Sequence, residues 1–309
     1  MKVLFMGTPE FAVASLAAIH KSSHEIVGVV TSTDKPAGRG KKIQSSAVKK
    51  YAVENGLKLL QPNNLKENSF IEELKALKAD VFVVVAFRML PKSVWSIPSN
   101  GTFNLHASLL PQYRGAAPIN WAIINGEKKS GITTFLIDDK IDTGEILLQE
   151  EVIINEGDNA GILHDCLMNL GAKLILKTIN DLKSIKPAKQ TSTKENLNTA
   201  YKLNKSNTRI NWENSSKSIK QLILGLSPYP AAWTQILFND KKMLFKIFDA
   251  EISSKNLSPG ATELSNNLLH VGTANGSLLL KEVQLEGKKR MPINAFINGT
   301  KNLETSKFI

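Results

Sequence analysis

Asn104 and His106 stand two residues apart in TFNLHASLLPQYRGAAPINWAI, and an amide beside an imidazole suits acyl transfer. On a strand, residues i and i+2 share a face, so a strand over TFNLH presents both side chains together. An amide N–H can stabilise an oxyanion, and an imidazole exchanges protons near neutral pH. The same pair also fits a buried polar couple satisfied by backbone groups, so spacing alone leaves both readings open. Asp142, in DDKIDTGEILLQ, lies in a predicted loop before the next strand. Beside His106 it would complete an Asn/His/Asp set that positions a water or an amine and shuttles protons. Its D-x-x-D-x-G setting lacks the pattern and the bidentate Glu of an EF-hand. Ser108 has no G-x-S-x-G elbow around it, so a structural or ligand-contacting role is expected rather than a nucleophile.

These residues need a scaffold, and the first 180 residues read as alternating strands and helices. VLFM, Gly7 and PEFAVASLAAIH form strand, turn and helix, with Thr8 expected as the cap and Pro9 in the first turn. Gly7 also allows close backbone approach, so a ligand is expected nearby. SSAVKKYAVEN has helical spacing and a Ser cap, DVFVVVAF is an apolar strand buried on both faces, and 159–183 is a long amphipathic helix. The pattern predicts a Rossmann-like α/β fold with a mostly parallel sheet, and Asn104 and His106 at the carboxyl end of a strand, where such sheets bind ligands. The first turn is MGTPEF and not G-x-G-x-x-G, which disfavours a dinucleotide-dependent dehydrogenase. Cys166, the one cysteine, excludes an internal disulfide and is expected to be a buried, inert thiol.

From about residue 184 the texture changes. The expected division is a catalytic domain over 1–183, a linker over 184–206 and a second domain over 207–309. RINWENSSKSIKQLILGL reads as one helix, followed by short alternating strands, a hairpin turn at Asn275-Gly276 and a closing helix at PINAFING. A small OB-like β-barrel fits this pattern. Charge divides the same way, with a balance of +1 over residues 1–182 and +10 over 183–309. So basic a C-terminal part suits a polyanionic partner, and a lysine-rich solvated surface is the plainer alternative. No apolar run is long enough to span a membrane, so none is expected as a partner, and the cytoplasm is the expected compartment.

The ordered set MGTPEF, PAGRGKK, NLHASLLP, RGAAP and DTG resembles the folate-dependent formyltransferase superfamily, in particular its branch acting on methionyl initiator tRNA. The resemblance runs over essentially the whole chain. It implies transfer of the formyl group of 10-formyltetrahydrofolate to the α-amino group of methionine on initiator tRNA, by a monomer without a metal. It implies Asn104 as the oxyanion donor, His106 as its assistant in that role and in moving protons, and Asp142 as the group that orients His106 and a water and helps the attacking amine lose its proton. Ser108, Leu109, Leu110 and Pro111 would contact the folate, with Phe87, Arg88 and Met89 edging its pocket. Those last three depart from the Tyr-Gly-aliphatic sequence of many relatives, so Arg88 either meets the folate's acidic tail or turns outward. The basic loop with Arg39, Lys41 and Lys42 would engage the acceptor end of the tRNA. A sister activity, formylation of a UDP-amino-sugar, shares QYRGAAPINW but would need neither PAGRGKK nor the basic C-terminal part.

Overall fold

A computed structural model describes the chain except for residues 38–41, 192–196, 239–240, 301–302 and 304–305. It divides into two compact units. One comprises Met1–Gly115, Lys129–Ile153 and His164–Thr199, the other Ala116–Lys128, Ile154–Leu163 and Ala200–Ile309. The division is discontinuous in sequence, which boundaries drawn from composition do not express.

The first unit is built on seven strands: β1 (Lys2–Gly7), β2 (Glu25–Val30), β3 (Leu59–Leu60), β4 (Val81–Val85), β5 (Thr102–His106), β6 (Lys129–Leu136) and β7 (Ile146–Ile153), in the order β7-β6-β5-β4-β1-β2-β3. The five strands from β5 to β3 are parallel, and β6 and β7 close one edge as an antiparallel pair. Every residue of β4 is buried, as its unbroken apolar run predicts for a strand covered on both faces. Helix Glu10–His20 buries Phe11, Ala12, Ser15, Leu16 and Ile19 as one stripe. Its N-cap is Pro9, with no side-chain capping bond, so Thr8 does not cap it. Gly7 is needed for the packing of this helix, because an added Cβ would lie 2.7 Å from the Ala12 Cβ. Helix Ala47–Glu54 is capped as expected, the Ser46 hydroxyl accepting from the Lys49 N–H at 3.0 Å. In helix Ala160–Asp181, Leu167 and Leu174 are buried while Cys166 is exposed, because it falls beside their stripe.

In the second unit an antiparallel sheet curls around a core of Trp212, Phe245, Phe296 and Phe308. Its strands are β8 (Ala232–Phe238), β9 (Lys241–Ser253), β10 (Thr262–Ser265), β11 (Leu268–Thr273), β12 (Gly276–Leu285), β13 (Met291–Pro292) and β14 (Lys307–Phe308). The order is β10-β11-β12-β9-β8-β14, with β13 beside β12. The sheet's two ends meet where Ala261 bridges Lys307, giving the barrel-like curl. The β11–β12 hairpin turns at Asn275-Gly276 as expected, Thr273 pairing with Gly276. The helix read over RINWENSSKSIKQLILGL is shorter, Ser216–Leu226. The Asn211 side chain accepts from the Glu213 N–H and the Ser215 hydroxyl from the Ser218 N–H, so turn chemistry replaces the first helical turns. Ile210 instead bonds the Trp233 carbonyl through its N–H.

Candidate active site

Register sets the site. Asn104 lies opposite Val84 on β4 and Phe135 on β6, and His106 opposite Thr133, so both side chains share one face at the carboxyl end of β5. Asn104 is half-buried, and no described residue hydrogen-bonds its side chain, which leaves a free amide donor beside the imidazole. His106 is buried, and its Nε2 is 2.8 Å from the Tyr113 carbonyl. A carbonyl only accepts, so Nε2 carries the proton and, in the neutral ring, Nδ1 presents its lone pair. Nδ1 faces Asp142 Oδ2 at 3.8 Å, with the two side chains 7% and 14% exposed. That separation exceeds a direct hydrogen bond. A group with two N–H or O–H bonds lying against both atoms, an amine or a water, can donate to each.

The loop holding Asp142 is tightly determined. Asp142 has φ +54°, an unusual conformation for a non-glycine residue. Gly144 follows, and an added Cβ there would fall 1.6 Å from the Leu136 carbonyl oxygen, so only glycine fits. The Asp138 carboxylate accepts from the Lys140 N–H and the Thr143 hydroxyl. The Gly115 N–H donates to Asp142 Oδ2 at 2.9 Å, aiming the carboxylate. The Gln190 amide bonds Arg114 on one side and the Asp142 and Gly144 carbonyls on the other.

The loop Ser108–Pro111 is braced from within. Ser108 is 1% exposed and donates its hydroxyl proton to the Gln112 carbonyl at 2.7 Å, which engages it structurally. Thr133 donates to the Ser108 carbonyl and accepts from the Leu110 N–H, and Gln149 donates to the Leu110 carbonyl and to Thr133. Leu110 is buried, and the Leu109 side chain packs over Gly131. Pro111 is half-buried, after a cis peptide bond.

A cavity of about 530 Å³ opens in the same unit, lined among others by Lys66, Arg88, Met89, Leu90, Lys92, Trp95, Asp138 and Asp139. Asn104, His106 and Asp142 do not line it, and the loop 137–145 connects the two places. Phe87 packs against the core beneath, and Met89 is exposed. Arg88 is exposed and donates to the carbonyls of Pro62 and Asn63. Arg39 and Lys41 lie outside the described residues, as does the side chain of Lys42. The short strands Lys35–Ala37 and Lys42–Gln44 flank them as an antiparallel pair. Beside that strand pair the Lys49 ammonium, 2.6 Å from Asp34, holds the Asp34 carboxyl below its usual range. Among the described residues no group of three or more His, Cys, Asp or Glu could hold a metal ion, and no helix is long and apolar enough to cross a membrane.

The side chains that face one another carry a signal in the sequence, whereas the groups that hold them do not: the Tyr113 carbonyl, the Gly115 N–H, Thr133 and Gln190. The first two are backbone groups without a residue-type signature. The last two are common polar residues with no motif of their own.

The chain matches two family models, Formyl transferase over residues 1–179 and Formyl transferase, C-terminal domain, over residues 202–301. It is 52% identical to the methionyl-tRNA formyltransferase of Flavobacterium johnsoniae, over 97% of this chain and 96% of that protein. It is 49% identical to that of Flavobacterium psychrophilum, over 97% and 96%. Among solved structures, the sugar 3N-formyl transferase WlaRD, studied with dTDP and 5-N-formyl-THF, superposes with a TM-score of 0.66 at 22% identity, over 94% of this chain and 99% of that one.

Proposed function

The chain belongs to the methionyl-tRNA formyltransferase family, and from that premise we propose how its residues carry out formyl transfer to the α-amino group of methionine on initiator tRNA. The donor is a formyl-folate, in this reading 10-formyltetrahydrofolate, which supplies the one-carbon group. The residues around the cavity fit such a molecule. Its volume suits a ligand of that size, Met89, Leu90 and Trp95 offer apolar wall, and Arg88, Lys66 and Lys92 suit the carboxylates of a glutamate tail. Ser108 to Pro111 shape the approach from the other side, with Ser108 acting through its carbonyl and its loop rather than as a nucleophile.

The observation that carries the mechanism is the pair of acceptors, His106 Nδ1 and Asp142 Oδ2, 3.8 Å apart beside an unpaired amide. The incoming amine must lose a proton while the formyl oxygen gains negative charge. Asn104 donates to that oxygen. His106 Nδ1 takes a proton from the amine as its nitrogen bonds the formyl carbon, and Asp142 stabilises the imidazolium so formed; when the carbonyl re-forms, the bond to the folate nitrogen breaks and that nitrogen leaves with the proton His106 returns, which restores the neutral ring. The Tyr113 carbonyl keeps the ring in the tautomer this requires.

Arg39, Lys41 and Lys42 meet the phosphates near the acceptor end of the tRNA, and the +10 balance over 183–309 supplies phosphate contacts that do not depend on sequence. The role in translation initiation implies a cytoplasmic protein, and the scheme uses residues of one chain only. Incubation of the purified chain with 10-formyltetrahydrofolate and Met-tRNA, followed by deacylation and chromatography, should yield formyl-methionine. Free methionine alone, with the folate donor intact, would overturn the reading.

A further inference from the structure

The segment 184–206, which composition presents as a polar connector, is tied into the site at Gln190. Just before it, Ala188 exchanges both backbone hydrogen bonds with Ile146, at 2.8 and 2.9 Å, where β7 begins. That bridge delivers the Gln190 side chain between two loops. Its Oε1 accepts from Arg114 Nε at 3.1 Å and Nη2 at 2.5 Å. Its Nε2 donates to the carbonyls of Asp142 at 3.0 Å and Gly144 at 2.8 Å. An amide has two donor hydrogens and two acceptor lone pairs, so Gln190 uses all of its hydrogen-bonding capacity here.

We propose that Gln190 is a positioning residue for the His106–Asp142 pair; the role assigned to that pair rests on the proposed function. Both ends of the pair depend on what this one amide holds. Asp142 sits at φ +54°, a conformation that persists only where its surroundings over-determine it. Two of the fixing bonds come from Gln190, onto the carbonyl of Asp142 and that of Gly144 two residues later. On the other side Gln190 fixes Arg114. The next residue, Gly115, donates to the Asp142 carboxylate, and the preceding residue, Tyr113, supplies the carbonyl that sets the His106 tautomer. Gln190 therefore closes a ring of contacts that fixes the 3.8 Å between Nδ1 and Oδ2. Only an amide can do this: a carboxylate would keep Arg114 but point a lone pair at two carbonyls, and a lysine would do the reverse.

The test is formylation by Gln190→Ala and Gln190→Glu with both substrates saturating, together with their KM values and melting temperatures. A misplacement on the order of 1 Å costs as much as about 100-fold in rate, so kcat should fall about 10- to 100-fold in each variant, with either KM changed less than about threefold. Gln190→Glu should be no better than Gln190→Ala despite its stronger tie to Arg114. In an Asp142→Ala background, Gln190→Ala should cost less than it does alone, because one of the two groups it positions is gone. Losses that multiply in the double variant, or a change confined to KM or to melting temperature, would overturn the proposal. So would a Gln190→Ala enzyme as fast as the parent. An inactive parent chain would instead count against the proposed function.

Discussion

Replacing Asp142 with Asn probes the most specific geometric claim, that a carboxylate stabilises positive charge forming on His106. The change is nearly isosteric. Its amide oxygen can still accept from the Gly115 N–H, now 2.9 Å from Oδ2, so the loop should keep its shape. What is lost is a negative charge 3.8 Å from Nδ1. With an effective dielectric constant of about 20, that pair of full charges is worth about 4 kcal/mol at this distance. Both side chains are largely buried, so solvent screening removes little of it. At about 1.4 kcal/mol per tenfold this sets a ceiling near 10³ in rate. The imidazolium is only partly formed in the transition state, which brings the expected loss in kcat to about 10²- to 10³-fold. The assay is single-turnover formylation of Met-tRNA at saturating formyl-folate, with a melting curve to show the variant folded. A folded Asp142→Asn enzyme within about threefold of the parent rate would refute a charge-stabilising role.

The other expectations concern separate parts of the molecule. Asn104→Ala should lose about 10²- to 10³-fold in turnover with little change in either KM, as for removal of an oxyanion donor; a KM effect alone would assign Asn104 to binding. Arg39→Ala should raise the KM for Met-tRNA and leave folate affinity unchanged in a direct binding titration; equal losses for both would remove the loop from tRNA recognition. In the second unit His270 is buried, its Nδ1 has no hydrogen-bond partner among the described residues, and burial followed by the nearby Lys255 charge pushes its pKa below the ordinary 6.5. The unfolded chain then binds the proton more readily than the folded one. Its contribution to stability is therefore full above pH 6.5 and is lost as pH falls from there toward the lower folded value. Melting between pH 7.5 and 5 should show that loss, and His270→Leu should flatten it; an unchanged slope would exclude His270 as its source.

Much of the architecture was legible because burial leaves a pattern. The unbroken run in β4, the Ser46 cap and the Asn275-Gly276 turn each follow from local chemistry. The side chains of the candidate site were legible from spacing only in part. Period-two spacing put Asn104 and His106 on one face, but their approach to Asp142 depends on an antiparallel pair folding its far loop back, which spacing does not encode. Thr8 was misread as a cap because Pro9, with its fixed φ, starts the helix one residue later. Gly7 was legible as a point of close approach, but that its near neighbour is Ala12 of the following helix was not. Cys166 was misread as buried because hydrophobic periodicity places a residue at a stripe's edge only within a position or so. Gln190 was invisible for a different reason: its setting is polar and aperiodic, and its importance comes wholly from partners at Arg114 and Asp142, distant in sequence.

Acceptor choice tests the central claim most directly. Purified protein would be given 10-formyltetrahydrofolate with Met-tRNA in one reaction and with a UDP-amino-sugar in another, and kcat/KM measured for each from formylated product. Formyl-methionyl-tRNA should form at a kcat/KM of at least about 10⁴ M⁻¹s⁻¹, the lower end for working enzymes, and should form more slowly as salt is raised. No formylated sugar should be detected. Formylation of the sugar with Met-tRNA left untouched would contradict the assignment.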